Sequence, residues 1–103
     1  NNLAAMLEVT GIDGIFVGPN DMSISLGIPD QYDQEVYQAA VKKVIDMAEA
    51  HGIATLVHQQ TPDLSTYWIS QGARFLLHGT DRRALQQGFK ADFGTLRDFA
   101  KNN

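Results

Sequence analysis

Apolar residues along the chain fall into two alternating spacings. Short, nearly continuous runs occur at Ile15-Phe16-Val17, Ile53 to His58 and Phe75-Leu76-Leu77-His78, the pattern of strands buried on both faces. Between and after them, apolar residues recur every three or four positions, the period of amphipathic helices. The clearest such stretch runs from about Asp33 to His51. Val36, Tyr37, Ala40, Val41, Val44, Ile45 and Ala48 trace one stripe there, while Lys42, Lys43, Asp46 and Glu49 face away. Asp33 is the expected N-cap and Gly52 the C-terminal stop. A helix from Thr61-Pro62 to about Gln71 has its cap and its N1 proline in preferred places, and Gly72 stops it. The last helix follows Gly79-Thr80-Asp81, with Asp81 as its cap and Leu85, Phe89, Phe93, Leu96 and Phe99 on its apolar side. Asn1 to Val9 reads as the end of a helix capped by Asn2, and Gly11 to Gly14 as a turn. Gly18 to Pro29 reads as a long loop in which Asn20 caps one helical turn, Met22 to Leu26.

A helix followed by three strand–helix units implies an α/β fold with a parallel sheet. Each unit takes roughly 25–40 residues and a closed (β/α)₈ barrel about 250, so 103 residues hold less than half of one. The chain opens on Asn1-Asn2, without an initiator Met and inside a helical pattern. The expectation is therefore that residues 1–103 form a partial domain. Composition narrows the function. A hydrophobic fraction of 44% supports a packed core, and Lys+Arg 8 against Asp+Glu 12 leaves no basic footprint for nucleic acid. Zero cysteine removes disulfides, thiolate metal sites and a Cys nucleophile, and fits the cytoplasm. No apolar run approaches the ~18–20 residues of a membrane span. The phosphate-cradling, serine-hydrolase and zinc-protease motifs are all absent.

In parallel α/β folds, ligands meet the loops at the C-terminal ends of the strands. Three loops qualify: Gly18 to Ser23, His58 to Thr61, and His78 to Asp81. The first carries the most chemistry. Asp21 lies four residues past a buried strand, in a turn shaped by Gly18 and stiffened by Pro19. Free backbone N–H groups at Asn20 and Asp21 would suit an anion. An oxygen ligand beside an anion-binding turn would suit a 2-oxo acid chelated to a divalent metal. The plainer alternative is that Asp21 or Asn20 only caps a short helix. His58 ends the second strand and His78 the third; each is either a site residue or a hydrogen-bonded structural group. His51 fits a helix C-terminus. Tyr67 and Trp68 read as packing residues, and Arg82-Arg83 as solvated or interfacial.

The string GIDGIFVGPNDMSISLGIPDQYD, Gly11 to Asp33, resembles the signature of the HpcH/HpaI aldolase family, class II metal-dependent pyruvate aldolases. The family motif is close to G-[IV]-D-G-[IV]-F-[IV]-G-P-x-D-L-S-x-x-L-G, and this chain departs only by Met22 where Leu is usual. The resemblance continues through His51-Gly52, Gln60-Thr61-Pro62, Gly72-Ala73-Arg74-Phe75 and Asp81-Arg82-Arg83. It implies strands six to eight, with their helices, of a (β/α)₈ barrel of the phosphoenolpyruvate/pyruvate type. It also implies reversible aldol cleavage of a 2-oxo-4-hydroxy acid, such as a 2-keto-3-deoxy sugar acid, to pyruvate and an aldehyde. The family's divalent metal (Mg²⁺, Mn²⁺ or Co²⁺) would have Asp21 as one of two carboxylate ligands. The N–H groups of Asn20 and Asp21 would bind the pyruvate carboxylate, Gly18 and Pro19 would shape that turn, and His58 would touch substrate. The partner Glu, the basic His and the Arg of the family fall upstream of Asn1, so no catalytic residue is expected here and the isolated chain should be inactive. Leu56 stands where a glycine is usual and would crowd the pocket. Family members are commonly hexamers that exchange the last helix, which implies a homo-oligomer. The alternative function is a non-catalytic half-barrel that pairs with another chain through its open sheet edges.

Overall fold

The computed structural model describes residues 2–103; the expected helical start at Asn1 lies outside them. The elements run α1 (Leu3–Leu7), β1 (Gly14–Val17), α2 (Pro19–Ser25), α3 (Glu35–Ala50), β2 (Ala54–Gln59), α4 (Pro62–Ser70), β3 (Phe75–His78) and α5 (Asp81–Lys101). The strands form one parallel sheet in the order β1-β2-β3. Phe16 lies opposite Leu56, and Leu56 opposite Phe75. This is the alternating α/β arrangement expected from the two apolar spacings.

Helix starts depart from the expected caps. Gly18, not Asn20, is the N-cap of α2, and the helix begins at Pro19, whose fixed φ and missing N–H suit that first position. Asn20 therefore lies inside the first turn. α3 starts after Gln34, so Asp33 does not cap it. Thr80 caps α5 by accepting the Arg83 N–H on Oγ1 at 3.2 Å, leaving Asp81 as the first helical residue. Asn2 and Thr61 occupy N-cap positions without a side-chain cap bond.

Helix ends are more uniform. After α3, the Ile53 N–H bonds Ala48 O at 2.9 Å around Gly52, whose φ is 70°. After α4, the Ala73 N–H bonds Trp68 O at 3.0 Å around Gly72, at φ 100°. A left-handed glycine with this long bond satisfies carbonyls that the helix end orphans. In both places it also delivers a buried residue, Ile53 or Ala73, to the start of the next strand segment.

One face of the sheet is covered. α3 and α4 pack on it, and α1 packs on α3. Buried Tyr37, Val41 and Ile45 of α3 and Trp68 of α4 meet Val17 and Val57 there, with Ala73 completing the cluster. Leu7, Ala48 and Ile53 form a smaller cluster beneath α1. The expectation of strands buried on both faces is corrected. Side chains alternate along a strand, and those of the other parity, Phe16, Phe75 and Leu77, are 58%, 60% and 48% exposed. Val36 is likewise outside the α3 stripe, half exposed. α5 buries no residue at all, and its Leu85, Phe89, Phe93, Leu96 and Phe99 all face solvent.

Candidate functional site

The parallel sheet brings the C-terminal ends of β1 and β2 side by side, with Val17 opposite Val57. The next residues are Gly18 on one strand and His58 on the other. β1 leads directly into α2, so the Gly18-Pro19-Asn20-Asp21 turn stands at this end of the sheet. Met22 N–H already bonds Gly18 O at 3.0 Å, and Pro19 has no N–H. The orphan donors of the first turn are therefore those of Asn20 and Asp21. The Asp21 carboxylate folds back over Gly18: a methyl group at Gly18 would sit 3.3 Å from Asp21 Oδ2. Glycine gives the carboxylate room here; a larger residue would push the Asp21 side chain aside by a few tenths of an ångström. Asp21 and Asn20 are both exposed.

His58 projects from the open face of the sheet, the face that carries Phe16, Leu56, Phe75 and Leu77. Its Nε2 lies 2.8 Å from Gly79 O. A carbonyl only accepts, so Nε2 carries the proton and Nδ1 of the neutral ring is left as an acceptor. The Gln60 side-chain amide lies 3.4 Å from the same nitrogen. With Nε2 protonated, it is the Gln60 oxygen that suits that place, an O/N choice made from the hydrogen-bond network. A bond from Gly79 N–H to Gln59 O at 2.8 Å ties the same loop to β2.

His78 has the opposite parity and turns to the covered face, where its Nδ1 lies 2.7 Å from Ser65 Oγ. It joins β3 to α4 and remains exposed. His51 closes α3, its Nδ1 donating to Met47 O at 2.8 Å. Tyr67 and Trp68 pack as expected, Trp68 at the core and Tyr67 with its hydroxyl on Gln38 Oε1 at 3.2 Å.

The turn also has partners that its spacing did not announce. Tyr32 Oη lies 2.7 Å from Asn20 Oδ1 and 2.8 Å from Asp30 Oδ1. Buried Ser23 donates to Asn20 O at 3.0 Å and accepts from Asp30 N–H at 3.2 Å. The only sequence sign of these contacts is the turn-forming Ile28-Pro29-Asp30 segment, which sends the chain back toward α2. Burial, followed by the hydrogen bond and charge of Asp30, raises the Tyr32 phenol from 10.0 to about 12. Burial pushes the Tyr37 phenol up as well.

Among the described residues, no group of three or more His, Cys, Asp or Glu side chains is placed to hold a metal ion. Asp21 belongs to no such group. Glu8 stands at the C-cap of α1, not at the end of a strand. A cleft of about 530 Å³ runs along the free edge of β1 between Leu3, Phe16, Asp21, Met22, Leu26 and Val44. A smaller one of about 420 Å³ lies on the open face between Phe16, Ala54, Leu56 and Phe75. No helix among the described residues is long and apolar enough to cross a membrane.

Residues 1–87 match the HpcH/HpaI aldolase/citrate lyase family. A 4-hydroxy-2-oxo-heptane-1,7-dioate aldolase of Salmonella arizonae is 34% identical over 91 residues, which cover 88% of this chain and 35% of that protein. A 2-keto-3-deoxy-L-rhamnonate aldolase of Shigella dysenteriae is 34% identical over 85 residues, covering 79% of this chain and 30% of that protein. Among solved structures, an HpcH/HpaI aldolase from Desulfitobacterium hafniense matches with a TM-score of 0.85 at 26% identity, over 93% of this chain and 38% of that one. Citrate synthase SbnG matches with a TM-score of 0.84 at 25% identity, over 96% and 40%. The chain thus spans about a third of the length of the curated relatives it matches.

Proposed function

The chain belongs to the HpcH/HpaI aldolase/citrate lyase family, and on that premise we propose that it supplies one wall of a pyruvate-aldolase site in a (β/α)₈ barrel. In this reading β1, β2 and β3 are barrel strands six to eight. The open face of the sheet, with Phe16, Leu56 and Phe75, is turned to the barrel interior. The reaction is reversible cleavage of a 2-oxo-4-hydroxy acid to pyruvate and an aldehyde.

The observation that carries the reading is the Gly18–Asp21 turn at the C-terminal end of β1, beside His58 at the end of β2. Its two orphan N–H groups, on Asn20 and Asp21, take the carboxylate of the 2-oxo acid. Gly18 leaves room for the Asp21 side chain to fold in beside them. His58, held in its Nε2–H form by Gly79 O, offers Nδ1 to a hydroxyl of the substrate. Leu56 narrows the floor of the pocket below. Among the described residues, no group by itself fits a metal site. Asp21 is the single carboxylate this chain offers to a divalent Mg²⁺, Mn²⁺ or Co²⁺, and the remaining ligands come from outside residues 1–103.

Two assays test this. In the assembled barrel, meaning residues 1–103 joined by the units that complete it, Asp21→Ala is expected to lower aldol cleavage at least about 100-fold. Undiminished, equally metal-dependent cleavage would overturn the assignment. The 103-residue chain alone is expected to release no pyruvate from 2-keto-3-deoxy acids, and clear turnover would overturn its inactivity.

A second reading, a non-catalytic module that pairs with another chain, is favoured by the exposed Phe16, Phe75 and Leu77 and by the bare apolar side of α5. The same surfaces support a homo-oligomer, a hexamer in which α5 packs on a neighbour. Sedimentation measures both. A monomer at micromolar concentration would remove this reading.

A further inference from the structure

Tyr32 lies outside any helix or strand, yet its hydroxyl reaches the first turn of α2, 2.7 Å from Asn20 Oδ1 and 2.8 Å from Asp30 Oδ1. A phenol has one proton to give, and a carboxylate can only accept. The proton therefore goes to Asp30, the charged and stronger acceptor. Tyr32 then offers Asn20 a lone pair, and the group that fills it is the Asn20 side-chain N–H. The Asn20 amide is accordingly oriented with Nδ2 toward Tyr32, an assignment the network dictates. The order is Asn20 N–H to Tyr32 Oη, and Tyr32 O–H to the Asp30 carboxylate.

Two more bonds close this path into a ring. Ser23 Oγ, on a fully buried residue, donates to Asn20 O at 3.0 Å and accepts the Asp30 N–H at 3.2 Å. Asp30 is held at φ 59°, the left-handed region that disfavours a residue with a Cβ. Backbone strain of this kind persists only where the surroundings over-determine it, and here a backbone and a side-chain bond both do so. The Tyr32 ring is fixed from the other side. It meets Tyr37 edge-on at 5.3 Å between centroids, and Tyr37 meets Trp68 at 6.3 Å in the core. A continuous path runs from the core through Tyr32 to the turn.

We propose that Tyr32, backed by Asp30, is a positioning residue that holds the Gly18–Asp21 turn in its ligand-binding shape. This rests on the reading that the turn takes the carboxylate of a 2-oxo acid. Asn20 is the residue between the two: its backbone N–H faces the anion and its side chain is gripped by Tyr32. Because the Tyr32 phenol is raised to about 12, it stays protonated at physiological pH and the grip does not titrate there.

The test is steady-state cleavage of a 4-hydroxy-2-oxo acid by the assembled barrel. Tyr32→Phe keeps the ring against Tyr37 and removes only the hydroxyl. It is expected to raise KM about five- to tenfold, with kcat changed by less than about twofold and the melting temperature nearly unmoved. Asp30→Gly relieves the left-handed strain but removes the acceptor, so KM is expected to rise although folding does not suffer. Asp30→Asn tolerates the same φ and keeps an acceptor oxygen, and is expected to restore near-normal KM. A merely structural role would instead leave the KM of Asp30→Gly unchanged. Unchanged KM in Tyr32→Phe, with Asp21→Ala inactive, overturns the positioning role and leaves the site reading standing. Full activity in Asp21→Ala, or none in the unsubstituted barrel, overturns the site reading and this proposal with it.

Discussion

The two faces of the sheet are made by the same three strands and have opposite surroundings. On one, Val17 and Val57 are 4% and 0% exposed under Tyr37, Val41, Ile45 and Trp68. On the other, the larger Phe16 and Phe75 are 58% and 60% exposed. The apolar content of the strands does not differ in kind between the faces; the cover does. A strand with apolar side chains at both parities is suited to burial on both sides, and residues 1–103 supply helices for one. The histidines divide in the same way. His78 sits on the covered side, bonded to Ser65 at the exposed end of β3, whereas half-buried His58 stands on the open face, level with Gly18 at the start of the Gly18–Asp21 turn.

Substitutions on the two faces should separate widely. Trp68→Ala empties the covered face and is expected to cost about 3–5 kcal/mol in chemical denaturation, enough to unfold much of the chain. Phe75→Ala on the open face is expected to cost less than about 1 kcal/mol in the 103-residue chain, because little burial is lost. In the assembled barrel, the same Phe75→Ala should cost about 3 kcal/mol or more. Equal losses for Trp68 and Phe75 in the chain alone would erase the difference between the faces.

The histidine pair sharpens the comparison at smaller amplitude. His58→Ala is expected to raise KM in the assembled barrel about tenfold with little change in melting temperature. His78→Ala should do the reverse, leaving kinetics alone and costing about 1 kcal/mol through the lost Ser65 bond. Thr80→Ala probes α5, which neither face covers. Loss of its cap should lower helicity by circular dichroism, with a cost of about 1 kcal/mol.

The smallest effect concerns pH. Tyr32 has its phenol raised from 10.0 to about 12 in the folded state, so folding favours the protonated form. That contribution is complete below pH 10 and is lost as pH rises toward 12. Alkaline melting curves should therefore fall over this window, and Tyr32→Phe should flatten that part of the fall. An unchanged slope would show that Tyr32 is not the group responsible.

Much of the architecture was legible from local pattern. Gly52 and Gly72 ended helices where their freedom at positive φ was needed, and the Tyr37-Val41-Ile45-Ala48 stripe chose the buried side of α3. Caps were less legible. Asp33 and Asp81 have the right chemistry for capping, but Gln34 and Thr80 occupy those positions, since the register of a helix start depends on how the preceding loop arrives. Of the candidate site, position after a strand marked three loops as candidates, because a parallel sheet puts those ends together; the choice of Gly18, Pro19, Asn20, Asp21 and His58 among them came from the family resemblance.

The primary structure by itself determined the alternation of strands and helices, and the turn that carries Asp21, because periodicity, glycine and proline act over a few residues. Tertiary structure alone decided which strand face is covered, that His58 and His78 point to opposite sides, and that Tyr32 and Asp30 close on Asn20. Each of these depends on strand register or on a loop returning across sequence, and no local preference encodes either.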